Sequence, residues 1–335
     1  MRTSSAIGYE KNLPSADPAS FVERVVEVPE PGPHDHVVEV EAVSVNPVDV
    51  KQRTRVDSGG FRVLGFDASG IVVRVGEKVT LFQPGDEVFY AGSIDRPGTN
   101  QRVHLVDERI VGRKPRTLSF EQAAALPLTA ITAWETLFDR FGLTSQSTGT
   151  LLVIGATGGV GSVMLQLADA LLPGVRVIAT ASDPEREDWV RGLGAEHVVN
   201  HRGDLTEQVL AIAPDGVDWL FTAHSAGQIP LYATIVRPFG QITAIDDGPS
   251  DISPLKSRSI TWHWEFMFTR PVHQGPDMIE QHRLLDQVAD LVDNGKLRTT
   301  VTRTLTPITA ANLRTAHELI ESGRTLGKIV LHGWE

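Results

Sequence analysis

The chain contains no cysteine among its 335 residues. This absence excludes disulfides, thiolate nucleophiles, iron–sulfur clusters and every cysteine-ligated zinc site. The sequence also lacks any run of about 18 apolar residues that could span a bilayer. No N-terminal segment has the charged, apolar and small-residue order of a signal peptide. We therefore expect a cytoplasmic protein that is not bound to a membrane.

The composition is that of a globular protein with an acidic surface. Hydrophobic residues make up 41% and charged residues 22% of the chain, which is enough apolar material for proper cores. At roughly 150 residues per domain, the length predicts about two domains. The net charge of -11 repels polyphosphate backbones and anionic lipids. Nucleic acids and membranes are therefore not expected as partners.

Two patterns divide the sequence. Short β-rich runs separated by turn residues fill residues 21–106. The alternation of apolar and polar residues within Val37–Ala42 is typical of half-buried strands. Residues 119–142 indicate a helix, a break at Pro127 and a second helix. Beyond them, apolar strands alternate with helical stretches, which predicts a doubly wound parallel sheet. This rhythm stops after residue 305, so we expect the tail to return to the mostly antiparallel β domain.

The segment LLVIGATGGVG, residues 151–161, joins a strand to a helix through a glycine-rich turn. Gly158 and Gly161 occupy the second and third glycine positions of G-x-G-x-x-G, and Ala156 stands in the first. A second strand, VRVIATAS, follows at the interval expected of a dinucleotide-binding unit. We expect the backbone of Ala156, Thr157, Gly158, Gly159, Val160 and Gly161 to hold a pyrophosphate. The alternative is a purely structural strand–helix turn.

The end of that second strand favours NADPH over NADH. An acidic residue normally binds the ribose 2′-hydroxyl of NAD there, but this chain has Ala181, followed by Ser182 and Arg186. A hydroxyl and a guanidinium can hold a 2′-phosphate through charge-assisted hydrogen bonds. The neighbouring Asp183 opposes this interpretation, and Arg186 as a solvated helix residue is the alternative.

Several motifs in fixed order resemble the medium-chain dehydrogenase/reductase superfamily. They are VNPVDVKQR at 45–53, LGFDASGIV at 64–72, PGDEVF at 84–89, AAALPLTAITAWE at 123–135, GATGGVGS at 155–162 and GKIVL at 327–331. The sequence is most similar to the quinone oxidoreductase branch, whose members often carry a zinc-type alcohol dehydrogenase-like label. The resemblance implies a GroES-like substrate domain at 1–124 and 296–335, a Rossmann NADP(H) domain at 125–295, and a homodimer.

The residues at the family's metal positions do not suit a metal. By resemblance, the three catalytic zinc ligands correspond to Asn46, Phe66 and Leu128, and a phenyl ring and an alkyl chain cannot ligate zinc. The segment that matches the structural zinc lobe, residues 90–100, has no cysteine. His34 and His36 are expected to lie in a solvated loop. His263 is expected to be a satisfied histidine on a half-buried strand, with a catalytic role as the alternative.

Hydride chemistry without a metal favours an acceptor that spreads its own developing charge, such as a quinone or an α,β-unsaturated carbonyl. By position in the family, Asn46, Asp49 and Thr129 form the catalytic group. We expect Asn46 to donate to the substrate oxygen, Thr129 to anchor the nicotinamide side, and Asp49 to orient its neighbours. The alternatives are a turn residue for Asn46 and a helix cap for Asp49.

The resemblance also assigns further contacts. Four residues are expected on the cofactor side, with a surface position as the alternative for the last: His201, Phe221, Thr222 and Lys328. Four aromatic residues are candidates for the acceptor pocket, with ordinary core packing as the alternative: Phe66, Trp264, Phe266 and Phe268. The aromatic strand within residues 259–268 is expected to form the dimer.

Two other functions stay open on sequence grounds. One is an alcohol dehydrogenase or carbonyl reductase, with or without zinc. The other is a nucleotide-binding protein with little catalysis. Intact nucleotide-binding residues are compatible with either of these and with the quinone or enone reductase.

Overall fold

A computed structural model describes residues 2–248 and 251–334 of the chain. The chain divides into two compact units, Met1–Ile131 with Phe268–Glu335 and Thr132–Met267. We call them the β unit and the α/β unit. Within the described residues, no helix is both long enough and apolar enough to cross a membrane.

The strands and helices are numbered in chain order. The strands are β1 (Arg2–Tyr9), β2 (Val22–Val28), β3 (Asp35–Val45), β4 (Arg62–Val63), β5 (Ala68–Val75), β6 (Glu87–Tyr90), β7 (Val103–Asp107), β8 (Val111–Arg113), β9 (Gly149–Val153), β10 (Val175–Thr180), β11 (His197–Val199), β12 (Val217–Thr222), β13 (Val236–Ala244), β14 (Thr261–Trp264), β15 (Val301–Leu305) and β16 (Lys328–His332). The α-helices are α1 (Pro47–Arg55), α2 (Phe120–Ala124), α3 (Pro127–Trp134), α4 (Gly159–Leu171), α5 (Pro184–Arg191), α6 (Leu205–Ile212), α7 (Ile229–Ile235), α8 (Thr269–His273), α9 (Glu280–Asp293) and α10 (Ala310–Glu321). Short 3₁₀ turns lie at Pro18–Ser20, Glu108–Ile110 and Ser253–Arg258, and a π-helical turn lies at Glu135–Arg140.

The β unit is built on a sheet in the order β15-β16-β3-β5-β6-β8, with β7 also paired to β3. A smaller antiparallel sheet has the order β2-β1-β4. The alternation predicted in β3 places Val38, Val40 and Ala42 in the core, although Val37 is buried as well. The tail strand β16 pairs antiparallel with β3, so the tail does return to the β domain.

The helical segment after residue 119 breaks where the sequence predicts. Ser119 caps α2 by accepting from the backbone N–H of Gln122, and α3 begins at Pro127. Proline is tolerated there because a first-turn N–H has no partner within the helix. The helix then continues into the π-helical turn.

The α/β unit contains, among its described residues, a six-stranded sheet in the order β11-β10-β9-β12-β13-β14. Every neighbouring pair in this sheet is parallel. Counted from β9, this is the doubly wound order 3-2-1-4-5-6, with its switch point between β9 and β12. Leu152, Ile178, Leu220 and Ile242 fill the core from four successive strands. The predicted doubly wound parallel sheet is confirmed.

Helix α9 belongs to the β unit. His282 bonds to the carbonyl of Val111 at 2.7 Å, and Asp286 accepts from the N–H of Arg113 at 2.9 Å. The chain therefore divides between the compact units at 131/132 and 267/268, whereas the sequence predicted domain boundaries at 124/125 and 295/296. The apolar periodicity of a helix shows which face is buried but does not show which sheet buries it.

Candidate active site and nucleotide site

The turn between β9 and α4 has the backbone of a phosphate cradle. Gly155 adopts φ +79°, which favours glycine. A Cβ on Gly161 would lie 2.5 Å from Ala156 Cα and 2.6 Å from Gly155 O, so only glycine permits this close approach. Gly158 is the N-cap of α4 and provides no side-chain cap, which leaves first-turn amides for an anion. The turn follows β9 at the switch point, where such sheets bind nucleotides.

The end of β12 lies beside this turn. Phe221 pairs in register with Val153, and its carbonyl accepts from Ile154 N at 2.9 Å. Thr222 is fully buried, and its hydroxyl contacts the Tyr232 hydroxyl at 2.8 Å and accepts from the N–H of His224 at 2.9 Å. The structure therefore places Phe221 and Thr222 at the expected edge, with both side chains packed inside the unit.

The two residues predicted for the 2′-phosphate are both bound to Asp183. The Arg186 guanidinium donates to Asp183 at 2.7 Å, and the Ser182 hydroxyl donates to the same carboxylate at 3.1 Å. Asp183 also caps α5 by accepting from the N–H of Arg186 at 3.1 Å. The carboxylate that opposed the NADPH interpretation therefore holds the donors that a phosphate would need.

His201 lies in a positively charged neighbourhood after β11. Burial lowers the pKa of His201, and electrostatic interactions with Arg202, His224 and Arg186 lower it further. The structure thus brings Arg186 and His201 into one basic cluster at the edge of the α/β unit.

Four polar residues of the β unit form a buried cluster that we call the lysine cluster: Asn46, Asp49, Asp67 and Lys328. All four are at most 3% exposed. Asp67 Oδ2 accepts from Asn46 Nδ2 at 2.8 Å and from Lys328 Nζ at 2.9 Å, and Asp67 Oδ1 accepts from Leu128 N at 2.8 Å. One carboxylate therefore ties three separate segments of the unit together.

Lys328 lies inside this cluster and not at the surface. Its ammonium donates to Asn46 Oδ1, to Asp67 Oδ2 and, at 3.3 Å, to the carbonyl of Val45. These three bonds use its three N–H groups. Lys328 therefore has no donor left for a cofactor in this arrangement, which differs from the role that the sequence predicted.

Asp49 orients its surroundings through the backbone. Its carboxylate accepts from the N–H of Asn46 at 2.7 Å and from the N–H of Gly65 at 3.1 Å. Burial raises the pKa of Asp49 to about 7, and the charge of Asp67 adds to the rise, while the Asn46 bond and Lys328 oppose it. Asp49 thus holds the start of α1 against the segment that carries Phe66 and Asp67.

Thr129 lies on α3 with its hydroxyl turned back to the helix. The hydroxyl donates to the Leu126 carbonyl at 2.9 Å, and the residue is 2% exposed. Its oxygen keeps a lone pair that can accept a hydrogen bond. Thr129 can therefore serve as an acceptor, but its proton is already engaged.

The four predicted pocket aromatics are divided between the two units. Phe66 and Phe268 belong to the β unit, are almost fully buried, and contact each other edge to face at 5.2 Å between centroids. Trp264 and Phe266 belong to the α/β unit and are 50% and 48% exposed. Core packing, the alternative given for these residues, describes the first pair.

The histidines take structural positions. His36 is fully buried on β3, so the expected solvated loop was wrong for this residue. His34 is half-buried and bonds to Glu108 at 2.9 Å. His263 bonds to Gln241 at 2.8 Å on half-buried β14, as expected of a satisfied histidine. Within residues 2–248 and 251–334, no group of three or more His, Asp or Glu side chains could hold a metal ion.

Sequence reasoning missed two buried acidic features. Asp67 precedes β5 within an apolar run, and this placement was the available indication of a buried, paired carboxylate. In the α/β unit, burial raises the pKa of Glu265, the charge of Glu135 raises it further, and Arg140 donates to Glu265 at 2.7 Å. Glu135 and Glu265 are far apart in the sequence, so no local pattern indicates that they meet.

Comparison with known proteins gives the family. The alcohol dehydrogenase GroES-like domain matches residues 32–124, and the zinc-binding dehydrogenase domain matches residues 193–331. The zinc-type alcohol dehydrogenase-like protein of Staphylococcus epidermidis is 38% identical over 334 residues, which covers 98% of this chain and 99% of that protein. The chain therefore belongs to the zinc-type alcohol dehydrogenase-like proteins of the medium-chain dehydrogenase/reductase superfamily.

Solved structures agree with this assignment. A protein from Rhizobium etli CFN 42, named as a candidate zinc-dependent alcohol dehydrogenase, is 48% identical with a TM-score of 0.94, covering 100% of this chain and 99% of that chain. The quinone oxidoreductase of Coxiella burnetii is 25% identical with a TM-score of 0.81, covering 99% of this chain and 100% of its own. The resemblance and the GroES-like plus Rossmann fold that the sequence predicted are both confirmed.

Proposed function

We propose that this chain is an NADPH-dependent oxidoreductase that reduces a quinone or an α,β-unsaturated carbonyl without a catalytic metal. The observation that carries the proposal is the glycine turn at the switch point of the parallel sheet, with Gly161 packed too closely for any side chain. Membership of an oxidoreductase family and the similarity to a quinone oxidoreductase support it.

The α/β unit supplies the residues that would hold the cofactor. The amides of residues 156–161 face the pyrophosphate in this proposal, and Ser182, Arg186 and His201 bind the 2′-phosphate. Phe221 and Thr222 line the turn from the neighbouring strand end. NADPH, when bound, supplies a hydride to an electron-poor carbon. The chain's own residues bind and orient the cofactor and the substrate, and they exclude water.

The β unit supplies the polar group for the substrate oxygen. Asn46 donates one strong bond to Asp67 at 2.8 Å and one weak bond to the Phe66 carbonyl at 3.4 Å. The weakly held N–H is the one that we assign to the substrate oxygen as negative charge develops there. Asp49 keeps Asn46 in place through the backbone. The Thr129 oxygen accepts a hydrogen bond from the nicotinamide end of the cofactor in this proposal.

A conjugated acceptor suits this donor set better than a saturated ketone does. A ketone develops a localised alkoxide, which metal-dependent enzymes stabilise by Lewis acidity. Phe66 and Leu128, at two of the metal positions given by the resemblance, present carbon atoms only. A quinone or an enone delocalises its own charge, so a single amide donor has less charge to stabilise.

A second copy of the chain is the proposed partner. Strand β14 is the edge of the parallel sheet. Trp264 at its end and Phe266 just beyond it are about half exposed. An edge strand with exposed aromatic residues favours pairing with another chain. We therefore assign dimer formation to this edge.

Calorimetric titration and turnover assays test the function. We expect NADPH to bind at least about tenfold more tightly than NADH, and NADPH oxidation to be rapid with quinones or enones and slow with saturated ketones. Asn46→Ala should lower kcat/KM about 100-fold, as loss of one preorganised donor does, without changing NADPH affinity. Stoichiometric zinc together with ketone reduction would overturn the proposal in favour of an alcohol dehydrogenase. NADPH binding without turnover of any acceptor would favour a nucleotide-binding protein.

A further inference from the structure

The lysine cluster contains two buried carboxyl groups and one ammonium. Asp67 and Lys328 form an ion pair at 2.9 Å with 0% and 4% side-chain exposure. Asp49 is equally buried but bonds to backbone N–H groups. Burying an ion pair costs desolvation that its attraction often does not recover. Because the net contribution of such a pair to stability is small, its effect on the neighbouring Asn46 amide becomes the relevant question.

The pair determines which way the Asn46 amide points. Lys328 can only donate, so it requires Oδ1 on its side of the amide. Ionised Asp67 can only accept, so it requires Nδ2 on the other side. A flipped amide would place two donors together at Lys328 and two acceptors together at Asp67. The two charges therefore allow a single amide orientation.

That orientation leaves one hydrogen atom loosely held. The Nδ2 group has two N–H bonds, and Asp67 takes one at 2.8 Å. The other reaches the Phe66 carbonyl at 3.4 Å, near the outer limit for a hydrogen bond. A substrate oxygen can replace this weak partner at little cost.

We propose that Asp67 and Lys328 are positioning residues that act through Asn46, fixing its amide so that an N–H is presented to the substrate oxygen. The inference rests on the proposed donor role of Asn46 and assigns the reason why that donor is preorganised. Lys328 does not contact the substrate in this scheme, because its three N–H groups bind Asn46, Asp67 and Val45. Its positive charge also polarises the Asn46 carbonyl, which strengthens the amide as a donor.

A double-mutant cycle on the whole protein tests the proposal. Asn46→Ala, Lys328→Met and the double variant are compared for kcat/KM with a quinone. They are also compared for equilibrium quinone binding without cofactor and for urea unfolding. If Lys328 acts through Asn46, each single variant should lose about 10- to 100-fold in kcat/KM, and the double variant should lose no more than Asn46→Ala. Quinone affinity should show the same non-additivity, while NADPH affinity stays unchanged.

Lys114 provides a matched control. It is a buried lysine of the same unit whose ammonium donates to the Pro115 and Leu118 carbonyls at 3.1 and 2.6 Å. Lys114→Met should lower stability by a similar amount but leave kcat/KM within about twofold of the wild type and not couple to Asn46. This comparison separates positioning from the general effect of removing a buried ammonium.

If Lys328→Met alone fails to fold, the double variant Asp67→Asn/Lys328→Met takes its place in the cycle. It removes both charges together, so no unpaired charge is left buried. Lys328→Arg should recover part of the activity by restoring a cationic donor. Losses that simply multiply in the double variant would overturn the positioning role. If Asn46→Ala itself has no effect on turnover, the proposed donor fails instead, and the two failures are thus distinguishable.

Discussion

The Arg186 guanidinium lies 2.7 Å from the Asp183 carboxylate, so the best candidate ligand for a 2′-phosphate is already paired. A phosphate bound by Arg186 would compete with the Asp183 carboxylate for the guanidinium. In the proposed NADPH complex, competition from Asp183 would reduce the binding energy that the cofactor gains from the guanidinium.

Substitutions at this pair should separate NADPH from NADH. Arg186→Gln should weaken NADPH binding about 10- to 100-fold, since a charged hydrogen bond contributes about 1.5–3 kcal/mol, and should leave NADH binding nearly unchanged. Asp183→Asn should strengthen NADPH binding several-fold, and the asparagine can still cap α5. Calorimetric titration measures both. A loss of NADH affinity in Asp183→Asn would instead show that the carboxylate binds a ribose hydroxyl.

The glycine turn offers a pair of contrasting substitutions. Gly161→Ala should destabilise the chain by about 1–3 kcal/mol and abolish nucleotide binding, because its Cβ would lie 2.5 Å from Ala156 Cα. Gly158→Ala is the control, since its Cβ would meet only the Gly155 carbonyl, at 3.5 Å. This variant should fold normally and lose only nucleotide affinity. Urea unfolding and nucleotide titration distinguish the two, and wild-type stability in Gly161→Ala would contradict the assigned packing.

His36 should make the protein sensitive to acid. Its ring is fully buried, and neither ring nitrogen has a hydrogen-bond partner within the described residues. Burial lowers the pKa of His36 to about 4, against about 6.5 in the unfolded chain. The unfolded state therefore binds more protons between these values, and stability falls as pH drops through that window. His36→Leu should raise the free energy of unfolding by about 2 kcal/mol at pH 5 and change it little at pH 8.

His104 is the matched comparison for this pH effect. Burial also lowers its pKa to about 4, but its ring bonds to the Tyr90 hydroxyl at 3.2 Å and to the Pro97 carbonyl at 2.9 Å. His104→Leu should therefore reduce acid sensitivity yet lose stability at pH 8, because two buried polar groups lose a partner. Equal behaviour of the two variants in urea unfolding at pH 8 would contradict this difference in bonding.

The edge of the parallel sheet should control assembly. Phe266→Glu places a charge on the half-exposed aromatic surface that follows β14 and should convert the proposed dimer to monomers. Val25→Glu is the control, because Val25 is 73% exposed on β2 in the other unit. Sedimentation velocity measures the oligomeric state. A dimer that persists in Phe266→Glu, or dissociates in Val25→Glu, would place the interface elsewhere.

The sequence was sufficient for features that depend on local pattern. Strand and helix periodicity predicted the parallel sheet, and Pro127 marked the helix break. The spacing of Gly158 and Gly161 located the turn at the switch point. Each of these depends on residues a few positions apart, so the information is contained in one short segment.

Features that depend on distant pairing were not predictable in this way. Lys328 meets Asp67 across 261 positions, and only the pairing of β16 with β3 brings them together. His36 looked like a loop residue beside two prolines, but β3 begins at Asp35 and buries it. Helix α9 was placed with the neighbouring sequence, although it packs on β8. In each case the deciding contact is tertiary.

The order of Asp67 and Lys328 along the chain has a consequence for synthesis. Asn46 and Asp67 leave the ribosome long before Lys328 is translated, so the emerging β unit holds a carboxylate whose counter-ion does not yet exist. We expect Asp67 to stay in contact with water until β16 pairs with β3, because burying a carboxylate without a partner is costly. The pairing of β16 with β3 therefore supplies the ammonium that allows the Asp67 carboxylate to be buried.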